Sequence, residues 1–170
     1  MSDMPGGHLT ATCSCGKVKI EAAGPPIVHA ACYCRDCQTA GRQLEALPGA
    51  AAIMDPDGGT PALLYRRDRV SHGDSGQLLR PYRIEPNSPT RRLVTTCCNC
   101  AMYLDFEKGH WLTLYRKRFA GDVPPLEMRI CTRSKQDDVE LPGDVPNYPG
   151  RSFRFFAKLA GAGIAMLLRR

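Results

Sequence analysis

Apolar and polar positions alternate along much of this chain with the two-residue period of strands. Residues 17–22, Lys-Val-Lys-Ile-Glu-Ala, have this period, and Gly24-Pro25-Pro26 closes them as a turn. Residues 27–31 form a second expected strand, which runs into a loop from Cys32 to Cys37. Residues 41–59, rich in Ala, Gly, Pro and Asp, are expected to form a long connection. Further strands are expected at 62–66, 77–84, 92–96, 102–106, 111–115 and 126–132, each bounded by turn-forming residues. The chain is therefore expected to be mostly β.

The pattern changes near the C-terminus. Residues 137–150 are rich in proline and acidic side chains and have the composition of a linker. Residues 152–168 lack proline and contain good helix formers, which predicts a helix. This gives a β domain over 1–136, a linker over 137–150 and a C-terminal helix within 151–170. In 153–168 the charged side chains are Arg154 and Lys158. That apolar run is shorter than the roughly 20 residues needed to span a bilayer. Ala157, Gly161 and Ala165 place small residues four apart, a spacing that permits close helix contact. So apolar a helix is expected to be covered by its own domain, by a partner subunit, or by a membrane surface that Arg169 and Arg170 would suit.

Composition narrows the picture. Sixteen glycines and fourteen prolines in 170 residues leave little room for long helices elsewhere, and aromatics are only 7%. A core this modest implies a further source of stability, and a structural metal can supply it. The formal charge is +6, with seven arginines between Tyr65 and Arg92 and a second basic cluster at Arg116, Lys117 and Arg118. These arginines are read chiefly as a solvated basic face, with attraction of an anionic substrate as the sharper alternative. Nucleic acid is not expected, because aromatics are not interleaved with the basic residues as stacking platforms.

Nine cysteines carry the chemistry. The polar, glycine-rich start, residues 1–8, has no apolar core of a secretion signal, so the reading is a reducing, cytoplasmic setting. The cysteines cluster as Cys13-Ser14-Cys15, as Cys32, Cys34 and Cys37, and as Cys97-Cys98-Asn99-Cys100. Neighbours this close converge on one ion more readily than they cross-link distant strands. Cys13 and Cys15 with Cys97 and Cys100 can supply a closed four-thiolate zinc site. Cys32, Cys34 and Cys37 are then left as a three-thiolate site with one open position. Two alternatives remain on spacing alone: Cys98 can complete the second site, or the middle triplet can join an outer cluster around one metal. Cys98 is otherwise expected to point away from the metal, and Cys131 to pack on its strand. His29 is read as a satisfied, half-buried histidine, and His110 as packing.

These residues resemble the glutathione-dependent formaldehyde-activating enzyme family, which includes the centromere protein V group. The likeness runs through Cys13-Ser14-Cys15-Gly16-Lys17-Val18, Gly24-Pro25-Pro26, the Cys32–Cys37 loop, Cys97 to Cys100, and the closing segment from Pro124-Pro125 to Ser134-Lys135. The chain departs from the family in having Ala101 after its last clustered cysteine and Arg42-Gln43-Leu44 after Gly41. The resemblance implies an Mss4-like, zinc-stabilised β fold and a carbon–sulfur lyase activity joining glutathione to formaldehyde. It also implies two zinc ions, structural at Cys13, Cys15, Cys97 and Cys100 and catalytic at Cys32, Cys34 and Cys37; the second is expected to empty more easily, since three thiolates hold less tightly than four. The expected partner is a small thiol such as glutathione. The same scaffold also accommodates a binding module without catalysis, in which both sites are structural.

Overall fold

The computed structural model describes residues 7–168; the reading of residues 1–6 and of Arg169 and Arg170 lies outside them. Ten strands in two sheets and a C-terminal helix make up a mostly β chain, compatible with zinc stabilisation at the cysteine clusters. The small sheet joins β1 (His8–Thr12), β2 (Lys19–Ala23) and β5 (Val70–Ser71). The large sheet is built from β3 (Val28–Cys32), β4 (Thr60–Arg66), β6 (Leu79–Tyr82), β7 (Thr90–Thr95), β8 (Ala101–Phe106), β9 (Trp111–Tyr115) and β10 (Met128–Ile130). Its order is β10-β3-β4-β9-β8-β7-β6, with β10 parallel to β3 and the other neighbours antiparallel.

Alternation gives the large sheet two buried faces. Leu63, Tyr65, Leu112 and Leu114 face the small sheet and pack with Ala11, Val18, Ile20 and Ala22. A bulge at Leu93/Val94 brings the consecutive residues Met102 and Tyr103 into that same cluster. On the opposite face, Val28, Ala30, Leu64, Met128 and Ile130 pack against the C-terminal helix, and Val94, Ala101 and Tyr115 pack against the first helix.

That first helix, α1 (Arg35–Glu45), occupies residues expected to belong to the cysteine loop and the start of a long connection. Ala40 and Leu44 bury the helix on the sheet, and Gln38 Nε2 ties it down by donating to the carbonyls of Tyr33 at 2.7 Å and Ser134 at 2.6 Å. Gly41 lets helix and loop pack closely, since a Cβ there would lie 2.3 Å from the Met54 sulfur and displace that side chain. The strand expected at 77–84 is shorter, because Gly73–Leu78 winds into 3-10 turns before β6.

Residues 142–149 run beside β10 and cover its outer edge. Arg129 N donates to Pro146 O and Tyr148 N to Arg129 O, each at 2.9 Å, and Arg129 pairs with Asp144 at 2.7 Å. The C-terminal helix, α2 (Phe153–Leu167), begins at Ser152, whose Oγ accepts from Phe155 N at 3.1 Å. Phe155 and Leu159 are buried on the sheet, Leu159 O meets His110 Nε2 at 2.7 Å, and Lys158 pairs with Glu127 at 2.7 Å. The domain thus covers one stripe of α2, while Phe153, Phe156, Ile164, Leu167 and Leu168 face solvent. Among the described residues, no helix is long and apolar enough to cross a membrane.

Candidate metal centres and an adjoining cavity

The loop between β1 and β2 carries Cys13 and Cys15, and the turn between β7 and β8 carries Cys97 to Cys100. The structure brings Cys13, Cys15, Cys97 and Cys98 together, with Sγ atoms all within 4.8 Å of one another. Measured separations are 3.6 Å for Cys13–Cys15, 3.9 Å for Cys13–Cys97, 3.4 Å for Cys15–Cys97 and 3.8 Å for Cys97–Cys98. Sulfurs at the corners of a tetrahedron with Zn–S bonds of about 2.3 Å lie about 3.8 Å apart, so the donor set fits zinc.

Here Cys98, expected to point away, joins the cluster. Cys100 instead is fully buried against the small sheet, its sulfur accepting from Arg118 Nη1. The turn explains the exchange: Asn99 adopts φ 52°, and Thr95 Oγ1 accepts from Cys100 N at 2.9 Å while contacting Cys98 Sγ at 3.2 Å. Burial raises the Cys98 thiol, but hydrogen bonds from Thr95, the Cys15 backbone and Ser14 outweigh it and bring it down to about 5. Burial pushes Cys97 up to about 12.

Cys32, Cys34 and Cys37 form the second group, again within 4.8 Å of one another. Cys32 ends β3, Cys34 caps α1, and Cys37 lies in the first turn, where its backbone N donates to Cys34 Sγ at 3.4 Å. A helix N-terminus favours negative charge, so the fold holds these sulfurs where thiolates are stabilised. Hydrogen bonds from Cys32 and Cys37 hold the Cys34 thiol far below its ordinary range. Donation to Cys131 and Cys34 drives Cys32 in the opposite direction. For Cys37, the hydrogen bond with Cys32 lowers it, but donation to Cys34 and burial prevail and push it up to about 12. Three sulfurs sharing one negative charge would ionise together only around a cation, and a soft divalent ion such as zinc suits them.

Cys131, expected as a packed strand residue, stands beside this group. It follows β10 in a left-handed conformation with φ 58°, directly after Ile130, the register partner of Cys32. No local pattern signals it; the parallel pairing of Ile130 with Cys32 brings it there. His29 is more buried than expected: Nδ1 lies 2.8 Å from Pro124 O and Nε2 has no partner.

The triplet opens onto a cavity of about 560 Å³ between the large sheet and α2, within the range of small-molecule sites. Register partners line it in pairs: Cys32 with Thr60, Ala30 with Ala62, Arg92 with Leu104, and Thr90 with Phe106. Phe155, Phe156 and Leu159 of α2 form its outer wall, and Trp111 and Ile130 complete much of its apolar lining.

The basic stretch is largely neutralised within the protein. Arg66 pairs with Asp68, Arg67 and Arg91 with Asp105, and Arg83 with Glu107. Arg80 Nη2 donates to Asn99 Oδ1 at 3.0 Å. Arg92 is different, being buried in the cavity wall.

Fold and sulfur geometry together define a cysteine-rich β protein with two groups able to hold metal ions. The family model described as "Glutathione-dependent formaldehyde-activating enzyme" matches residues 8–52, which carry two of the three cysteine clusters. A crystal structure of a Rhodobacter sphaeroides protein, a structural genomics target, is similar over 82% of this chain and 99% of that one, at 15% identity and a TM-score of 0.46. No curated protein matches the sequence.

Proposed function

We propose that this protein is a zinc-dependent carbon–sulfur lyase-like enzyme acting on a thiol–aldehyde adduct, of the glutathione and formaldehyde type. The observation that carries this reading is the opening of three converging thiols, at the N-terminus of α1, onto a cavity large enough for a small molecule. Cys32, Cys34 and Cys37 would hold the zinc; Cys13, Cys15, Cys97 and Cys98 would hold the structural one. Zinc bound by three thiolates supplies a Lewis acid with an open position for a soft, thiolate-bearing ligand.

Adduct formation joins the thiol sulfur to the aldehyde carbon, and the carbonyl oxygen takes up a proton as the thiol loses one. The reverse step breaks the same carbon–sulfur bond. This chain supports it by placement: α1 fixes the sulfurs, Gln38 fixes α1 to the segment after β10, and the apolar walls exclude water. The test is exchange NMR of glutathione and formaldehyde with the zinc-loaded protein. Exchange faster than the spontaneous reaction is expected, and an unchanged rate overturns the substrate assignment.

One observation favours a second reading, a zinc-stabilised binding module without catalysis. Cys131 directly follows Ile130, the register partner of Cys32, and as a fourth sulfur ligand it would close the site. In that case Cys131→Ser would loosen zinc at the triplet as much as Cys37→Ser does; on the open-site reading it leaves zinc in place.

A further inference from the structure

From the cavity wall beside the triplet, we infer that the cavity prefers a molecule with an apolar body and an anionic head group held by Arg92 over a polar thiol such as glutathione. The inference rests on the reading of the triplet as an open thiol-binding site, and it specifies the substrate class of that site.

Arg92 is 2% exposed, and its guanidinium makes no ion pair with any carboxylate among the described residues. Its Nε has no hydrogen-bond partner. A buried guanidinium without a counter-ion is costly unless a ligand supplies one. Nearby polar groups do not complete it: the Tyr115 hydroxyl and the Cys37 thiol feel its charge, and Asp36 lies on the same wall but is exposed. Thr60, paired with Cys32, adds a second buried and unpartnered polar atom, its Oγ1. Together these groups make the end of the cavity near the triplet polar and positively charged.

The rest is apolar. Leu64, Leu104, Phe106, Trp111, Ile130 and Phe155 offer a ligand body no hydrogen bonds. Glutathione carries two carboxylates, an ammonium and two peptide groups, and most would lose water here without a partner. A hydrocarbon or aryl body with one carboxylate at the triplet end satisfies Arg92 and fills the apolar space. Thiols of that form, or their aldehyde adducts, are the substrates the wall selects.

Trp111 is the one tryptophan of the chain and lines the cavity, so its emission reports occupancy. The zinc-loaded full chain would be titrated with decanoate, decanol and glutathione. Decanoate is expected to bind saturably and roughly tenfold or more tighter than decanol, the worth of one charge-assisted contact. Glutathione, the more polar thiol, is expected to bind more weakly than decanoate. Arg92→Met should erase the preference for decanoate while decanol affinity moves less than about threefold, and Arg92→Lys should retain part of it. Equal binding of acid and alcohol, glutathione binding as tightly as decanoate, or an unchanged preference in Arg92→Met would overturn the inference and leave Arg92 as a counter-charge to the thiolates. If Arg92→Met does not fold, the acid-to-alcohol ratio on the unaltered protein decides. Zinc content is measured on the same samples. Selective decanoate binding with no zinc at the triplet defeats the lyase reading alone; zinc at the triplet with no anion preference defeats this inference alone.

Discussion

Replacing Cys98 and Cys100 one at a time separates two sulfurs that spacing alone cannot. The structure puts Cys98 in the four-sulfur group and Cys100 in the core beside Arg118. In Cys98→Ser the new hydroxyl can keep the contact to Thr95, made at 3.2 Å, so the loss reports chiefly on the metal. A structural zinc contributes on the order of 10–16 kcal/mol, and one ligand in four is worth about 3–4 kcal/mol of it. For a chain of this size that lowers the melting temperature by roughly 6–15 °C. Cys100→Ser keeps an acceptor for Arg118 and should cost about 1 kcal/mol. The assay is thermal melting together with zinc competition against a colorimetric chelator. Cys98→Ser should surrender its zinc at lower chelator concentration than either the unaltered chain or Cys100→Ser. If Cys100→Ser is the variant that releases zinc, the observed turn geometry is not the metal-bound one and the assignment of Cys98 fails.

Other expectations concern the frame around the site. Burial raises the Asp105 carboxyl, but Arg67 at 2.6 Å and Arg91 at 2.9 Å more than offset this, so its folded pKa lies below the unfolded value. Its stabilisation is therefore full above the unfolded value of about 3.9 and is lost as pH falls through the lower folded one. Asp105→Asn should cost about 2–3 kcal/mol at pH 7, less than a fully buried pair because both arginines are partly solvated, and the gap should narrow in urea melts as pH falls below about 3.9; a gap that does not narrow at low pH refutes this. Burial lowers the His29 pKa, so stability present above about 6.5 should decline as pH falls below it, and His29→Gln should lack that slope. Leu159→Ala removes a buried contact of α2 and should cost about 2–4 kcal/mol while shifting Trp111 emission to the red; unchanged emission would mean that α2 does not wall the cavity.

Much of the large sheet was legible in the chain because its strands carry turn residues at both ends and a face-by-face alternation. The expected strand at 111–115 is β9, and 102–106 differs from β8 by one residue. α1 was not legible, since its first turn is also the cysteine loop and its Ala-Gly-rich middle resembles a connection. β1 escaped because only Leu9 and Ala11 mark its inner face, next to a glycine-rich start. At the sites, spacing identified the clusters but not which sulfur of Cys97-Cys98-Asn99-Cys100 turns inward, because the positive φ of Asn99 decides it. Cys131 and Arg92 reach the triplet through strand pairing and cavity shape, neither of which leaves a local pattern.

The central claim is that Cys32, Cys34 and Cys37 form an open site, distinct from a structural one at the outer clusters. The most direct measurement is zinc content with thermal melting for Cys32→Ser/Cys34→Ser/Cys37→Ser beside Cys13→Ser/Cys15→Ser. Two zinc ions per unaltered chain are expected. The triplet variant should keep one and melt within a few degrees of the parent, while the outer-cluster variant should lose its fold. A triplet variant that unfolds as completely as the outer-cluster variant, or an unaltered chain that binds a single zinc, would contradict the account.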